Sequence, residues 1–554
     1  MSFLDKLNRF ADNPVKLNMK RSKFNLSHGS KLTMNAGYLV PVMVDEILPD
    51  DTIKIDVASV IRMIPSAVPV MDNAYLDLYA FWVPSRIATV HEKDWQKVCG
   101  ENVDGFWAPS SESTLQNTGN TFTLASNEAI AAQSLGDYLG LPIGYYNNNV
   151  QLSRLPFNGY FLIWNEWFRD ENLSGPAAWK TWSNGTFASQ INAASTLKKV
   201  AKFHDYFTSA LPTPQKGNSV LLPLAGSAPV KTSTTDIDVT GLAALKFKTI
   251  ANNSGVSSQY LVSNTNGVTD TKAIGSSQAA VSPIAPSNLY ADLSNATAVS
   301  VNQMREAFAI QKLLEKDARS GSRFREILMA HFGVSIPDNT VQVPEYLGGK
   351  RIPLNMLQVL QTTPTSSSPL GTTGAFSNTA DNSYLCTKSF SEHGYVYILA
   401  CIRNNQGYSQ GISKMFTRNR RYDFYYPVFA NLGEMPVKTI ELYADNTSSL
   451  DISQSGVVFG YQEAWAEYRF KPTKICGYLS ANSGDTIAQQ WTYGNKFAAA
   501  PVLNDSFIKQ DRSQIDNTLV VTNSNYQFIC DFFINYTSWR AMPYFSIPGL
   551  IDHH

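Results

Sequence analysis

Apolar and polar residues alternate with a period of two in several short stretches of the chain. Residues 53–57 have apolar side chains at every second position, which predicts a strand with one buried face. Residues 75–83 are almost entirely apolar and are followed by Pro84, as expected of a strand buried on both faces. Further β-like runs occur at residues 395–403, 457–470 and 526–534. Short strands separated by long Gly-, Pro-, Asn- and Ser-rich connections favour an antiparallel sandwich or barrel over βαβ units.

Two segments have helical patterns instead. Residues 160–170 are apolar almost all round, so a helix there is expected to be buried. A second pattern begins at Ser300, which with Gln303 fits a capping box. We expect Gly321 to divide this pattern into two helices and Gly333 to end the second one.

Residues 212–300 differ in composition from the rest of the chain. They contain only nine charged residues, no Trp, His or Cys, and many Ser, Thr, Asn, Ala and Gly. A disordered linker is one interpretation, since such a composition buries little. Short β-like clusters near residues 221, 238, 246 and 261 favour an ordered, exposed insertion between two halves of one domain. The predicted parts are a basic arm (1–35), a first sandwich part (36–211), the insertion (212–300), and a helical segment with the sandwich remainder (301–554).

The composition indicates subunits that cover one another. Of 554 residues, 16% are charged, against ~25% in an ordinary soluble domain, while 12% are aromatic. The 45 basic residues balance the 45 acidic ones, which removes the repulsion that keeps small proteins monomeric. This balance also excludes a wholly basic nucleic-acid coat.

The cysteines and the apolar runs limit the cellular compartment. The five cysteines are odd in number and widely spaced, which argues against a disulfide framework or a zinc ribbon. The N-terminus is interrupted by charges and has no apolar signal region. The longest apolar run, residues 395–402, is far shorter than the ~20 residues of a membrane span. We therefore expect a soluble protein made in a reducing cytoplasm.

Motifs for catalysis are weak. Phosphate-loop, dinucleotide and nucleophile-elbow patterns are absent, and His91 begins a zincin-like motif whose second histidine is missing. Glu463, Trp465 and Glu467 resemble the paired carboxylates and sugar platform of a glycosidase, but their period of two also fits one strand face with Arg partners. We favour the structural interpretation, and expect no enzyme activity, cofactor or metal. The basic residues 418–421 are expected to form a solvated or salt-bridged turn more readily than a phosphate contact.

The arm is the strongest functional signal in the composition. Residues 1–35 carry seven Lys or Arg and two Asp, a formal charge of +5, so the remainder carries −5. A mobile basic segment binds nucleic acid by counterion release, and Phe24 and Tyr38 offer rings for base stacking. The predicted DNA contacts are Lys16, Lys20, Arg21, Lys23 and Lys31. The alternative is a solvated tail that packs against a neighbour. Five phosphate contacts give a log–log salt slope of only about −3.5, so binding would depend on many copies acting together.

Several segments resemble the major capsid protein of microviruses, small icosahedral single-stranded DNA phages, and most closely that of the gokushovirus subgroup. They are LVP (39–41), VDEILP (44–49), MDN (71–73), YLD (75–77), NEWFRDENL (165–173), IQKLLE (310–315), DAR (317–319), PEYLGG (344–349), EHGY (392–395), RYDFY (421–425), FGYQE (459–463) and WAEYR (465–469). The resemblance spans most of the chain.

The resemblance implies an eight-stranded antiparallel viral jelly roll with long loops, assembled as a T=1 shell around circular single-stranded DNA. It also implies a scaffolding protein and a small basic packaging protein as partners, and a virion location. One large insertion in this family forms a surface protrusion at the three-fold axes that is thought to meet the host. Here it corresponds in position to residues 213–299, bounded by Thr213 and Val299. The five arm cations match the family only in being basic.

Two other functions remain open at this point. The jelly-roll fold also serves glycan-binding and glycan-cleaving proteins. A phage tail or receptor-binding fibre would require internal repeats or a trimeric stalk, and the sequence has no repeat.

Overall fold

The chain forms two compact units, which are described separately. The computed structural model describes residues 20–99, 119–126, 128–220, 301–365, 369–444, 457–521 and 525–545, with six short strands between residues 230 and 291. The larger unit comprises Met1–Lys216 and Asp317–His554, and the smaller comprises Gly217–Lys316.

Two antiparallel sheets form the centre of the larger unit. Among the described residues their strands are β1 (Ser22–Asn25), β2 (His28–Met34), β3 (Val40–Ile47), β4 (Thr52–Met63), β5 (Ala74–Pro84), β6 (Glu345–Pro353), β7 (Thr379–Ser389), β8 (Gly394–Asn404) and β9 (Phe528–Arg540). The first sheet has the order β2–β9–β4–β7, with β1 also on the outer edge of β9. The second has the order β3–β8–β5–β6. The chain is therefore mainly β, as predicted, in an arrangement consistent with a sandwich.

The predicted alternation explains the first sheet. In β4 the side chains of Ile53, Ile55 and Val57 are buried, while Lys54 lies on the opposite, solvent-facing side. Strand β9 alternates in the same way over its whole length. The nearly continuous apolar runs predicted at residues 75–83 and 395–403 are the two central strands of the second sheet, β5 and β8.

One hydrophobic core joins the inward faces of both sheets with a buried helix. The predicted apolar helix is α1 (Leu155–Ile163), which continues as a π-helical turn at Trp164–Phe168. Its burial is confirmed, because Tyr160 and Phe161 are fully enclosed. The hydroxyl of Tyr397 on β8 donates to the Pro156 carbonyl at 2.7 Å, which fixes α1 against the second sheet.

A buried carboxylate lies in the middle of β5. Asp77 is 2% exposed and accepts hydrogen bonds from Arg351 on β6, at 2.7 Å, and from Arg403 on β8. Removing one partner of such a group would leave a charge uncompensated in a poorly solvated place. The strands β8, β5 and β6 of the second sheet are therefore held together by charge as well as by backbone pairing.

Buried amide side chains connect the end of β8 to the long connection before β9. Gln406 donates to Gln510 at 3.0 Å, Gln510 donates to Asn404 at 2.6 Å, and Asn404 donates to Gln514 at 2.9 Å. Gln514 in turn donates to Gln406 at 2.8 Å, and Asn495 donates to the same oxygen at 3.1 Å. All five are buried, so each relies on the others for hydrogen bonds.

Three further helices are longer than two turns. They are α2 (Asn184–Asn192), α3 (Val301–Ser320) and α4 (Phe324–Phe332). The predicted division of α3 from α4 at Gly321 is confirmed, and Gly333 ends α4 with a left-handed φ of +69°. Ser300 lies outside the described residues, so the capping box stays a prediction.

The remaining described elements of the larger unit are short. Its strands are Thr121–Leu124, Ala129–Ile130, Gly144–Tyr145, Val150–Ser153, Met356–Leu360, Thr373–Ser377, Gly407–Tyr408, Glu434–Lys438, Val458–Glu463 and Thr473–Lys474. Its short α-helices are Ser85–Ala88, Asp94–Val98, Leu135–Tyr138, Asp338–Val341, Ala466–Arg469, Thr486–Gln489, Asp505–Ile508 and Ser513–Asp516. Its 3-10 turns are Ala194–Thr196, Lys414–Thr417, Arg421–Asp423, Pro427–Phe429, Thr439–Glu441 and Gly477–Leu479.

The strand predicted over residues 457–470 is only partly correct. It ends at Glu463, Trp465 has a left-handed φ of +63°, and Ala466–Arg469 is helical. The indole of Trp465 is buried and donates to the Phe429 carbonyl at 2.9 Å, which supports this turn. The expectation that Glu463, Trp465 and Glu467 share one strand face is therefore wrong.

The described strands of the smaller unit are nested pairs. Val230–Thr232 pairs with Leu289–Ala291, Phe247–Thr249 with Ile284–Pro286, and Tyr260–Ser263 with Thr269–Lys272, all antiparallel. Two of them coincide with the β-like clusters near residues 246 and 261. The clusters near residues 221 and 238 lie outside the described residues.

The contact between α1 and β8 gives a first prediction. A Cβ at Gly159 would overlap the hydroxyl and ring of Tyr397, which has no room to move. Gly159→Ala should therefore destabilise the subunit by ~1–3 kcal/mol through overpacking. The matched change Gly185→Ala in α2 meets open space and should be neutral or stabilising by up to ~1 kcal/mol. Thermal and denaturant unfolding of both variants measures the difference, and equal stabilities would contradict this packing.

Candidate nucleic-acid interface

The described end of the basic arm belongs to the first sheet. Lys23 in β1 pairs with Trp539 of β9, and Lys31 in β2 pairs with Asp531. Residues 22–25 and 28–34 are therefore two edge strands, not the mobile segment that their charge predicts. Lys20 is exposed just before β1, and Lys16 lies outside the described residues.

The arm cations make weak surface contacts. The Arg21 guanidinium lies 3.5 Å from Asp50 and donates to Thr52 Oγ1 at 2.5 Å, and Lys31 Nζ lies 3.3 Å from Asp531. Lys23 Nζ lies 5.7 Å from the centre of the Trp539 ring. Exposed ion pairs of this kind contribute ~0–1 kcal/mol, so a phosphate can replace the carboxylate at small cost.

An exposed aromatic ring lies on the solvent face of the same sheet. Phe533 of β9 is 53% exposed, and its cross-strand neighbours are Gly29 on β2 and Ala58 on β4. Such small neighbours leave the ring unshielded from both sides. Tyr384 of β7 is 59% exposed on the same face. Exposed rings among cations are the arrangement on which single-stranded bases stack.

A cavity of about 690 Å³ adjoins this face. Its lining includes Lys31, Arg62, Ile529, Ile143 and Tyr138, the last residue of the short helix Leu135–Tyr138. The Tyr138 hydroxyl donates to the Thr33 carbonyl at 2.7 Å, and burial raises its pKa well above the usual range. The cavity therefore combines the cations of Lys31 and Arg62 with the carboxylates of Asp137 and Asp531, apolar walls and a neutral phenol. We use the name sheet face for strands β1 and β2, the solvent-facing sides of β4 and β9, and this cavity.

The second basic cluster is held by internal partners. Arg418 donates to Glu467 and to the Tyr468 hydroxyl, both at 2.7 Å, and its side chain is mostly buried. The preferred interpretation as a salt-bridged turn is thus confirmed for Arg418. Glu463 pairs separately with Arg469 at 2.6 Å, so the two carboxylates of the glycosidase hypothesis are each engaged by an arginine.

Other candidate chemistry is limited within the described ranges. They contain no group of three or more His, Cys, Asp or Glu placed to hold a metal, and no helix long and apolar enough to cross a membrane. The cysteines are free thiols, and burial raises the pKa of Cys386, Cys401 and Cys530 to about 12. Thr213 donates to the Gln215 carbonyl at 2.9 Å, and Val299 lies outside the described residues.

Residues 14–550 match the family model described as Capsid protein (F protein), so the chain belongs to this family of phage capsid proteins. It is a structural, non-enzymatic capsid protein, and the resemblance to gokushovirus capsid proteins is confirmed.

Three relatives cover nearly the whole chain, and each is named Capsid protein VP1. The chain is 37% identical to that of Bdellovibrio phage phiMH2K, over 96% of this chain and 95% of the relative. It is 34% identical to that of Chlamydia phage 1, over 98% of both, and 33% identical to that of Spiroplasma virus 4, over 96% and 95%. These relatives give no support to a glycan-binding or glycan-cleaving function.

The sequence interpretation missed Phe533, Tyr384 and Arg62. Phe533 lies in a predicted strand, but apolar residues occupy both of its faces, so periodicity alone did not tell the solvent side from the core side. The signal was available in Asp531 and Asn535, which flank Phe533 at a period of two and mark the solvent side.

The two faces of β9 give a second prediction. Phe532 is completely buried, whereas the next residue, Phe533, is half exposed. Phe532→Ala should therefore cost ~3–5 kcal/mol of stability, and Phe533→Ala less than about 1 kcal/mol. Denaturant unfolding of the two variants measures this contrast. A Phe533→Ala subunit as unstable as Phe532→Ala would mean that Phe533 belongs to the core.

Proposed function

We propose that this chain is the subunit of a T=1 icosahedral shell that encloses circular single-stranded DNA, and that its sandwich is an eight-stranded jelly roll. The strand order supports the jelly roll. Counted along the chain from β2 to β9, one sheet contains the first, eighth, third and sixth strands, and the other contains the second, seventh, fourth and fifth. This interleaving is that of two Greek keys folded together.

Membership of the capsid protein family is the main support for assembly into a shell, and the surface of the isolated subunit gives further support. Many large apolar side chains are exposed, on the hairpin of residues 356–377, on α3 and α4, and on the connection between β8 and β9. Monomeric proteins rarely expose so much apolar surface, whereas obligate interfaces bury well above ~2,000 Å². Association into a closed shell would remove this surface from water.

We assign genome contact to the sheet face. Lys31 lines the cavity and lies two residues from Gly29, the cross-strand neighbour of Phe533. Arg21 and Lys23 lie on the same edge at the far end of β9, beside Trp539, and Lys20 precedes them. Cations beside unshielded rings suit a single strand, because they engage phosphates and bases together without reading sequence.

The remaining roles rest on the resemblance to microvirus capsid proteins. They are assembly with a scaffolding protein and a small basic packaging protein, synthesis in the host cytoplasm, and host contact through residues 213–299. Host contact through residues 213–299 is supported by the smaller unit, which is a separate compact unit whose strands pair with one another.

The shell and its cargo are tested together. Electron microscopy of the assembled wild-type chain should reveal closed particles of one size containing DNA, and a chain that stays monomeric with its phage partners would contradict the function.

Changing Lys16, Lys20, Lys23 and Lys31 to Gln should lower the yield of DNA-filled particles and reduce the log–log salt slope of DNA binding by ~0.7 per lost contact. Arg21 is left intact because it also bonds Thr52 and the Trp539 carbonyl.

The matched control changes four surface lysines elsewhere, Lys97, Lys180, Lys471 and Lys496, to Gln. It removes the same charge and should leave DNA loading unchanged. Phe533→Ala tests stacking in the same assay and should weaken single-strand binding by ~1–3 kcal/mol. Equal loss of full and empty particles in the arm variant would mean that the arm only ties subunits together.

A further prediction concerns the insertion. Replacing residues 213–299 by a short Gly/Ser bridge should leave a folded subunit, because both sheets and their shared core lie in the larger unit. Hydrogen exchange of β4 and β9 should match that of the intact chain. An insoluble product whose β4 and β9 lose protection would make the segment part of the core. Particle closure is scored separately, since loops that meet at a symmetry axis affect closure without affecting folding.

A further inference from the structure

A large aromatic surface lies on the connection between β8 and β9. It is formed by residues 415–432, and we call it the aromatic surface. Its exposed apolar side chains are Met415, Phe416, Tyr422, Phe424, Tyr425, Tyr426, Val428 and Leu432. Tyr422 is 72% exposed and Val428 is 89% exposed, so the isolated subunit gives these groups no cover.

The area of this surface matches one side of a protein interface. With ~150–250 Å² per large side chain, the exposed fractions of these residues amount to roughly 900 Å². The largest apolar patch on a typical monomer is ~300–600 Å², whereas each partner in a standard interface contributes ~800 Å². The surface is thus large enough to account for a stable contact.

The rings of the aromatic surface are held in place before any partner arrives. Tyr422 and Tyr426 each meet the ring of Phe429 edge-on, with ring centres 6.3 Å apart. Tyr425 meets Trp465 edge-on at 5.6 Å, and the Trp465 indole is bonded to the Phe429 carbonyl. Rings fixed in this way lose little conformational freedom on binding, which favours affinity.

The chemistry of the surface indicates a protein partner rather than DNA. Val428, Met415 and Leu432 are aliphatic, and they gain free energy only by entering an apolar pocket. The segment contains three Arg, one Asp, and no Lys or Glu. Aromatic residues, Met and Arg are enriched at the centre of protein interfaces, whereas Lys, Glu and Asp are depleted. The only acid, Asp423, already accepts from the backbone N–H groups of Asn419 and Arg420 at 2.9 and 2.7 Å.

We propose that the aromatic surface is an anchor by which one copy of this chain binds a neighbouring copy in the shell. The proposal rests on the proposed assembly function, which supplies a second copy of the chain as the abundant partner. The surface that receives it has an apolar pocket for Val428 and Phe416, with carboxylates near Arg420 and Arg421. Both arginines are exposed, and Arg421 lies 5.7 Å from the centre of the Tyr426 ring.

A photo-crosslinking side chain at position 428 of the full chain identifies the occupant. In assembled particles the crosslink should join two copies of the chain. A crosslink to DNA would overturn the proposal and make this a genome contact. A crosslink to neither would also overturn it, because the residue would then remain open to solvent in the shell.

The double change Phe416→Asp and Val428→Asp tests the energetic role. Both side chains are mostly exposed, so the variant should unfold at the same temperature as the wild type, while its particle yield should fall by at least about tenfold. The control Val502→Asp changes a similarly exposed valine outside the surface and should assemble normally. If the wild type forms particles and the double variant forms as many, only the anchor is refuted. If the wild type forms none, the assembly function fails and the anchor fails with it.

Discussion

The alternation of side chains in β9 is the constraint on which the rest of the larger unit depends. Its even-numbered residues, from Phe528 to Tyr536, enter the shared core, and its odd-numbered residues form the solvent side. One edge of the strand holds β1 and β2, and the other holds β4. A slip of one residue would exchange the two faces, burying Asp531 and exposing Phe532. The same register that fills the core therefore also presents Phe533 beside the basic edge.

Local sequence predicted most of the elements but not their partners. The alternation at residues 53–57 and the apolar runs of β5 and β8 predict their strands correctly. Burial of one face produces alternating apolar residues, and burial of both faces produces a continuous apolar run. The charge of the basic arm predicts a mobile segment, because a run of charged side chains is usually exposed to solvent. Its pairing with β9, some 500 residues further along the chain, leaves no local signal. The turn at Trp465 was missed for a similar reason, since its indole is fixed by a carbonyl in another loop.

The charged contacts of the larger unit fall into two kinds with different responses to salt. Those at the sheet face, such as Lys31 with Asp531, are exposed, so they are screened and exchangeable. Asp77 is buried together with its partner Arg403, so added salt reaches that ion pair poorly, whereas the second partner, Arg351, is half exposed. The proposed DNA contact at the sheet face should therefore depend more strongly on ionic strength than the sandwich does.

The buried amides between β8 and β9 respond to neither salt nor acid, because they carry no charge and no titratable proton. They have a different weakness, which is slow hydrolysis. Gln406 and Gln514 are 5% and 6% exposed, so only a little water reaches them. Conversion of either to a carboxylate would place an unpaired charge in a poorly solvated site and would replace a donor with a second acceptor. Heat accelerates such damage, and Asn and Gln are among the residues least tolerant of it. Hydrolysis at these enclosed side chains would therefore weaken the contact between the end of β8 and the connection before β9.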